Sequence, residues 1–517
     1  MMIMRLLYTL PVLLLLLSCG NEEKPEYVRT PVIEMSFESF FEDGVVIGIR
    51  SINTDAVYGM AVRPGEPAPS AEEIAKNGYK AEGDRLFVRG LEKETEYTIY
   101  GVGALDSTFG KIQSFTIMTP SLYSWEASRP EILTFADLDL LPGGVADKTP
   151  KFWDEDRLKP HVTFTDSDGK EKWLHEAFLF IGGVDDERGT ILCIPDGKEK
   201  SAGKDSWKDF ADYWLAEGGV VDVLDQTISN GISRIGQPSF KHKVVMTMPD
   251  PIMLEYFSDK GSSTTYWGEA FGRHLDFANT SDQVLAYRWF IDYVREQWDK
   301  AAPQNVELAG FYVLSEILVA KPNGWNYRYK RWDQILPHVS EYLHEMKYAL
   351  YWIPYYQADG YDMTSQLGID YTWLQPNKYW DYPEKEQKKN WSWVFSTMNT
   401  YGHGMEIEFE GSHGEAGWSQ WEEGVARTSS SILETVRTNN DAQGTAKGKP
   451  NPQAARNKQL LRDYMEEFKK AGHYGKSRIA TYSGTNAMYE LATSPDEKDR
   501  EMYLEYCRFI VENPLRQ

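Results

Sequence analysis

The sequence is short of cysteine, of positive charge and of long apolar runs, and each shortage weighs against a class of function. Three cysteines in 517 residues are too few for a disulfide framework, and no CxxC or Cys/His spacing marks a structural zinc site. Cys193 and Cys507 lie in apolar surroundings and read as small buried hydrophobes. Only 55 Lys+Arg stand against 78 Asp+Glu, a formal charge of −23. Nothing here could neutralise a row of phosphates, which argues against nucleic acid as a partner. Adsorption of the folded surface to anionic lipid is disfavoured for the same reason. Beyond residue 18 no stretch is long and apolar enough to span a bilayer. The nine histidines form no HExxH pair, and neither a GxSxG elbow nor a phosphate loop occurs.

What is present is core and rings. Apolar residues make up 41% and charged residues 26%, enough for a packed interior and too apolar for global disorder. The length suits two or three units, or one large barrel with additions. Aromatics reach 14%, with 17 Trp and 31 Tyr. Rings beyond the needs of a core supply surfaces that stack on flat partners, and sugar faces are a common one.

Residues 1–18 carry Arg5, an apolar run from Leu6 to Leu17, and Ser18, the grammar of a signal peptide whose greasy stretch is too short to cross a membrane. Leu16-Leu17-Ser18-Cys19 resembles a bacterial lipobox, which would make Cys19 the acylated first residue of the mature chain. An ordinary signal peptide that happens to contain a cysteine is the alternative. Asn21-Glu22-Glu23-Lys24 resembles the acidic export tag of surface lipoproteins in Bacteroidetes. The expected location is therefore the outer membrane, exposed at the surface, with attachment through lipid chains alone.

From residue 28 to 119 short alternating runs recur between Gly/Pro/Asp-rich turns: Val45–Ile49, Val57–Val62, Leu86–Val88, Tyr97–Val102 and Ile112–Met118. The pattern predicts a small all-β sandwich of immunoglobulin/fibronectin type. Leu91, Thr95 and Tyr97 resemble the tyrosine corner of fibronectin type III modules, in which the ring hydroxyl ties the loop to its own backbone. No catalytic constellation falls in this part, which reads as a spacer.

From 121 to 517 the grammar changes to apolar strands alternating with helical patterns. Strands are predicted at 177–181, 244–248, 308–314, 349–353, 371–374, 405–409 and 479–482, with His161–Phe164 as an eighth. Helices are predicted at 206–215, 282–300, 332–346, 418–437 and 454–471. The economical solution is an α/β fold, a (β/α)8 TIM-type barrel. A doubly wound sheet competes, but no Gly-rich phosphate loop follows any strand.

In such a barrel the working groups leave the C-terminal ends of strands. Glu316 ends one strand. Glu406, Glu408 and Glu410 alternate along another and share one face of it. Ionised carboxylates cannot point into the greasy layer under the helices, so that face looks into the barrel mouth. Their mutual repulsion raises at least one pKa, as an acid catalyst needs. The two strands are three steps apart, the spacing of acid/base and nucleophile in retaining glycosidase barrels. Glycoside hydrolysis needs two carboxyls flanking the scissile bond. Glu316 is predicted as the acid and Glu408 as nucleophile or base, its charge tolerated through hydrogen bonds or a nearby tyrosine hydroxyl. Glu410 is the alternative second group. Trp352, Tyr355, Tyr356 and Trp373 are candidate sugar-stacking rings, with Tyr379, Trp380, Trp418 and Trp421 near them; Gln375, Asn377 and His413 are candidate polar fixers. Asp250 either positions substrate or caps a helix, and His413 either binds sugar or ligates a metal; no metal and no cofactor is expected. The rival function is a glycan-binding surface lipoprotein that cuts nothing.

Five motifs occur in order: Lys159-Pro160-His161-Val162-Thr163 with Phe178-Leu179-Phe180, Gly310-Phe311-Tyr312 with Glu316, Trp352-Ile353-Pro354-Tyr355-Tyr356, Gln375-Pro376-Asn377, and Gly404-Met405-Glu406-Ile407-Glu408-Phe409. Together they resemble a family of bacterial lipoproteins, domain-of-unknown-function family 4855, over about residues 120–515. The resemblance implies a glycoside-hydrolase-like barrel and a carbohydrate context. Where that family tends to have Trp after Gly-Phe-Tyr and Asp after Glu-Ile-Glu-Phe, this chain has Val313 and Glu410.

Overall fold

The computed structural model describes residues 30–41, 44–92, 95–119, 135–143, 152–182, 184–185, 189–190, 202–251, 266–318, 331–380, 390–409, 430–436, 448–484 and 486–516. Cys19, Cys193, Glu410, His413, Trp418 and Trp421 lie outside them, as does the signal-like segment.

The first part is a sandwich. One sheet joins Val32–Phe41, Gly44–Ile52 and Arg85–Arg89, and the other is centred on Ala56–Val62 and Glu96–Leu105, with Gln113–Met118 on its edge. The inward residues of both sheets, among them Val45, Ile47, Leu86, Ile99 and Ile117, form a core of their own. The predicted corner is present, because the Tyr97 hydroxyl accepts the backbone N–H of Glu92 at 3.1 Å.

The second part is a closed barrel of eight parallel strands in chain order: β1 (Asp137–Pro142), β2 (Ala177–Ile181), β3 (His242–Met248), β4 (Val306–Val313), β5 (Ala349–Trp352), β6 (Tyr371–Leu374), β7 (Gly404–Glu408) and β8 (Ile479–Tyr482), with β8 pairing back onto β1. Strands such as Ala177-Phe-Leu-Phe-Ile181 are apolar throughout because helices cover their outer face and packed side chains fill the inner one. Seven predicted strands are found within two residues of their expected bounds. The eighth is corrected. His161 and Val162 end the helix Glu155–Val162, and Thr163–Thr165 forms a hairpin with Glu171–Trp173. The missing strand is β1, whose pattern of Asp137, Leu138, Asp139 and Leu140 hides a fully buried strand behind two carboxylates.

Each of those carboxylates has one oxygen engaged where β1 closes on β8, and Asp137 Oδ1 accepts the Glu176 N–H at 2.9 Å. Asp139 Oδ2 lies 2.6 Å from His161 Nδ1, and His175 bonds the His161 carbonyl at 2.8 Å and the Tyr506 hydroxyl at 2.7 Å. Tyr506 also lies 2.8 Å from Thr481, the neighbour of Asp139 across the β8–β1 seam. Burial pushes the His175 pKa down to about 4, so the ring is neutral and its two nitrogens take opposite roles. A buried network of this kind becomes costly once one member is removed. Asp139→Ala is expected to lower unfolding stability by about 3 kcal/mol in a denaturant melt; an unchanged midpoint would mean the seam closes without it.

Four of the predicted helices are found, as Lys204–Leu215, Thr280–Ala301, Trp332–Glu345 and Ala454–Lys470. The helix expected over 418–437 is corrected in its described part, where Thr435–Val436 pairs with Lys449–Pro450 as a short strand. Ahead of it, the Ser430 N–H is held by the Glu490 carboxylate at 2.8 Å.

The sandwich leans on two barrel helices. His338, on Trp332–Glu345, bonds the Met118 carbonyl at 2.8 Å, and Arg273 pairs with Asp282 while approaching Glu96 at 4.0 Å. These are polar touches between separate apolar cores. A chain of residues 121–517 is therefore expected to melt cooperatively by calorimetry, and a molten or insoluble product would show a shared core.

Candidate active site at the barrel mouth

Glu316 follows β4 by three residues and is fixed through its backbone. The carbonyl before it, on Ser315, accepts the buried Trp352 indole N–H at 2.7 Å. Its own carbonyl accepts the Tyr355 N–H at 3.1 Å. Lower in β4, Gly310 sits where a Cβ would come within 2.1 Å of the Ala349 carbonyl oxygen, which is why the Gly-Phe-Tyr motif begins with glycine. Gly404 opens β7 under a similar constraint, since a Cβ there would press on the Trp373 ring and the Arg478 carbonyl.

From these anchors an unbroken chain of hydrogen bonds crosses the mouth. The Gln375 amide donates to Glu316 Oε1 at 2.9 Å. Asn377 Nδ2 donates both to Gln375 Oε1, at 2.9 Å, and to Glu408 Oε1, at 3.1 Å. Asn377 Oδ1 accepts the backbone N–H of Tyr356 at 2.8 Å. That last contact sets the direction of the whole chain. A backbone N–H can only donate, so Oδ1 must face it and Nδ2 must face Glu408 and Gln375 Oε1, which in turn aims the Gln375 N–H at Glu316. Asn377 has φ of 50°, a left-handed conformation that asparagine tolerates better than most side chains.

Electrostatics divides the carboxyls. Glu406 and Glu408 lie two residues apart on β7 and are both buried, at 3% exposure each, whereas Glu316 opens to solvent at the rim. Burial pushes the Glu406 pKa well above the usual carboxylate range, and the charges of Glu408 and Glu316 push it the same way. Protein packed around the Glu316 carboxyl raises its pKa as well, against the pull of the Gln375 hydrogen bond. At Glu408 both oxygens accept: Oε1 from Asn377 and Oε2 from the Tyr464 hydroxyl. Donors on both oxygens favour the ionised form.

The expected groups are thus only partly assembled. Glu316, Gln375, Asn377, Glu406 and Glu408 are brought together. Trp352 and Trp373 have no exposed ring face, at 0% and 1%. Trp373 stacks on Phe135 and Tyr351 inside the barrel, so both tryptophans are core rings. Tyr356 is buried and its hydroxyl accepts the Asn390 N–H at 3.2 Å, while Tyr355 is exposed beside Glu316. Asp250 is buried two residues beyond β3. Tyr464 was not singled out from the sequence, where it reads as one more apolar position of an amphipathic helix. Among the described residues no group of His, Cys, Asp or Glu is arranged to hold a metal ion.

No curated protein matches the sequence. Among solved structures, a chitinase from Paenibacillus sp. str. FPU-7, described as a cell-surface-expressed multi-modular enzyme, matches over 95% of this chain at 10% identity and a TM-score of 0.34. A β-glucuronidase from Ruminococcus gnavus matches over 87% of this chain at 10% identity and a TM-score of 0.31. The chain spans 42% and 60% of those two structures, and overlaps this loose say nothing about chemistry. The family model is more direct, because it matches residues 137–431, more than half of the chain, from β1 past β7. The chain belongs to the domain of unknown function family DUF4855.

Proposed function

We propose that the chain is a glycoside hydrolase acting on a polysaccharide or oligosaccharide at the bacterial cell envelope, with Glu316 as general acid and Glu408 as nucleophile or base. The observation that carries this reading is the amide chain that ties these two carboxyls into one unit while leaving them in different electrostatic settings. An acid must hold its proton near neutral pH, and the raised pKa of Glu316 supports that. Glu316 Oε1 is taken by an amide N–H, so the proton belongs on Oε2. In the reaction that proton passes to the glycosidic oxygen as its bond to the anomeric carbon breaks. Glu408, held ionised, either attacks the anomeric carbon or takes a proton from the attacking water.

Glu406 is assigned as a neutral carboxylic acid under the other two, and Tyr355 as the ring that lines the approach to Glu316. The envelope location rests on the lipobox-like Cys19 and the segment before it. Among the described residues no helix is long and apolar enough to cross a membrane, so in this reading attachment depends on the lipid. Cys19→Ala is expected to move the protein from the membrane fraction to the soluble one, and retention on membranes in high salt would contradict the anchor.

The test of function is a panel of defined oligosaccharides of varied linkage, scored for new reducing ends. Cleavage of at least one member is expected. Binding without cleavage across the panel would replace this reading with that of a glycan-binding protein.

A further inference from the structure

Glu408 is served by a residue from outside the barrel sheet. Tyr464 lies midway along Ala454–Lys470, and its hydroxyl donates to Glu408 Oε2. The Tyr464 hydroxyl oxygen in turn accepts the backbone N–H of Lys378 at 2.9 Å. Since the Lys378 N–H can only donate, the Tyr464 proton is directed away from it, toward the carboxylate. The ring is held as firmly as the hydroxyl: Tyr379 stacks against it at 6.2 Å and Trp391 meets it edge-on at 5.2 Å. One trajectory is left to the O–H, and it ends on Glu408.

We propose that Tyr464 is a positioning residue that keeps the Glu408 carboxylate ionised and in a single orientation, acting with Asn377 as a two-sided clamp. The proposal deepens the hydrolase reading and rests on Glu408 having the role given above. Several titratable groups among the described residues surround Glu408. Glu406 lies on its own strand, and Glu316 reaches the cluster from β4. Tyr482 is its neighbour in register on β8. Lys378 belongs to the turn beside it, with its ammonium 5.8 Å from the Trp391 ring. Buried Glu406 and, at the rim, Glu316 oppose a negative charge on Glu408, so neutral donors on both its oxygens favour its ionisation over theirs. Hydrogen bonds to an ionised group are stronger than neutral ones, and more so away from water.

The role can be measured without a substrate. The carboxyl C=O stretch of Glu408 is isolated by infrared pH titration as the signal lost in Glu408→Gln, first in the wild type and then in Tyr464→Phe. Losing one charge-assisted hydrogen bond is expected to move the Glu408 midpoint upward by about one pH unit or more. Tyr379→Phe is the control, because that hydroxyl bonds the Asn457 carbonyl at 2.7 Å; its midpoint should match the wild type. An unmoved midpoint in Tyr464→Phe, or an equal shift in Tyr379→Phe, overturns the assignment. If Tyr464→Phe does not fold, the wild type alone decides. Glu408 must then titrate below the signals lost in Glu316→Gln and Glu406→Gln, and titration at or above either one overturns the clamp. Because no turnover is read, the tyrosine can fail while the hydrolase reading stands, and the reverse.

Discussion

Glu316→Gln and Glu408→Gln should each lower turnover of a cleaved glycan by at least about 10²–10⁴-fold, the usual contribution of a positioned acid or base. Each change keeps the length and planarity of the side chain, so glycan affinity should change little. The two losses have different causes. At 316 the amide still meets Gln375 but has no acidic proton to give the leaving oxygen. At 408 it offers neither a negative charge nor two accepting oxygens, and its NH2 must face either Asn377 Nδ2 or the Tyr464 hydroxyl, both donors in the native arrangement. Glu408→Gln should therefore also disturb the amide chain, whereas Glu316→Gln should leave Asn377 in place. Kinetics and titration calorimetry on one identified oligosaccharide would check both. Cleavage at the wild-type rate by either variant contradicts the site.

The second large effect is on stability and has the opposite sign. Glu406→Gln should stabilise the protein at alkaline pH. Burial first, and then Glu408 and Glu316, hold the Glu406 pKa well above its ordinary value of 4.5. From pH 4.5 up to that raised pKa the folded state keeps a proton that the unfolded state has released. The folded state therefore loses ground as pH rises through this window. Glutamine is neutral throughout and escapes the loss. The melting temperature of Glu406→Gln relative to wild type should be near zero difference at pH 4.5 and clearly positive at pH 8. A difference that does not grow with pH would mean that Glu406 is ionised in the fold.

How much of this could be read from the sequence depended on what each signal measures. Apolar runs located seven strands, because a strand buried on both faces has little choice of composition. β1 escaped because Asp137 and Asp139 sit in it, and their partners are remote: His161 and His175 follow Asp139 by some twenty to forty residues, and Arg516 follows Asp137 by hundreds. A sequence window shows the charge and not its answer. Period two placed Glu406 and Glu408 on one inward face, and counting strands set Glu316 three steps away. Both follow from backbone geometry, which is local. The sugar-wall reading of Trp352 and Trp373 fared worse, since composition cannot tell a ring that faces solvent from one that fills a barrel. Tyr464 illustrates the same limit from the other side. A tyrosine hydroxyl near Glu408 was expected on energetic grounds, but nothing local distinguishes Tyr464 from the other rings of an amphipathic helix until the helix is packed.

One measurement bears most directly on the claim that Glu316 and Glu408 flank a scissile glycosidic bond: a crystal structure of Glu408→Gln with a bound oligosaccharide identified from the panel. The account predicts a glycosidic oxygen within hydrogen-bond reach of Glu316 Oε2, at about 2.6–3.2 Å, and the anomeric carbon of that bond facing residue 408. A sugar chain seated elsewhere on the protein, with neither side chain in reach of a glycosidic bond, would contradict it.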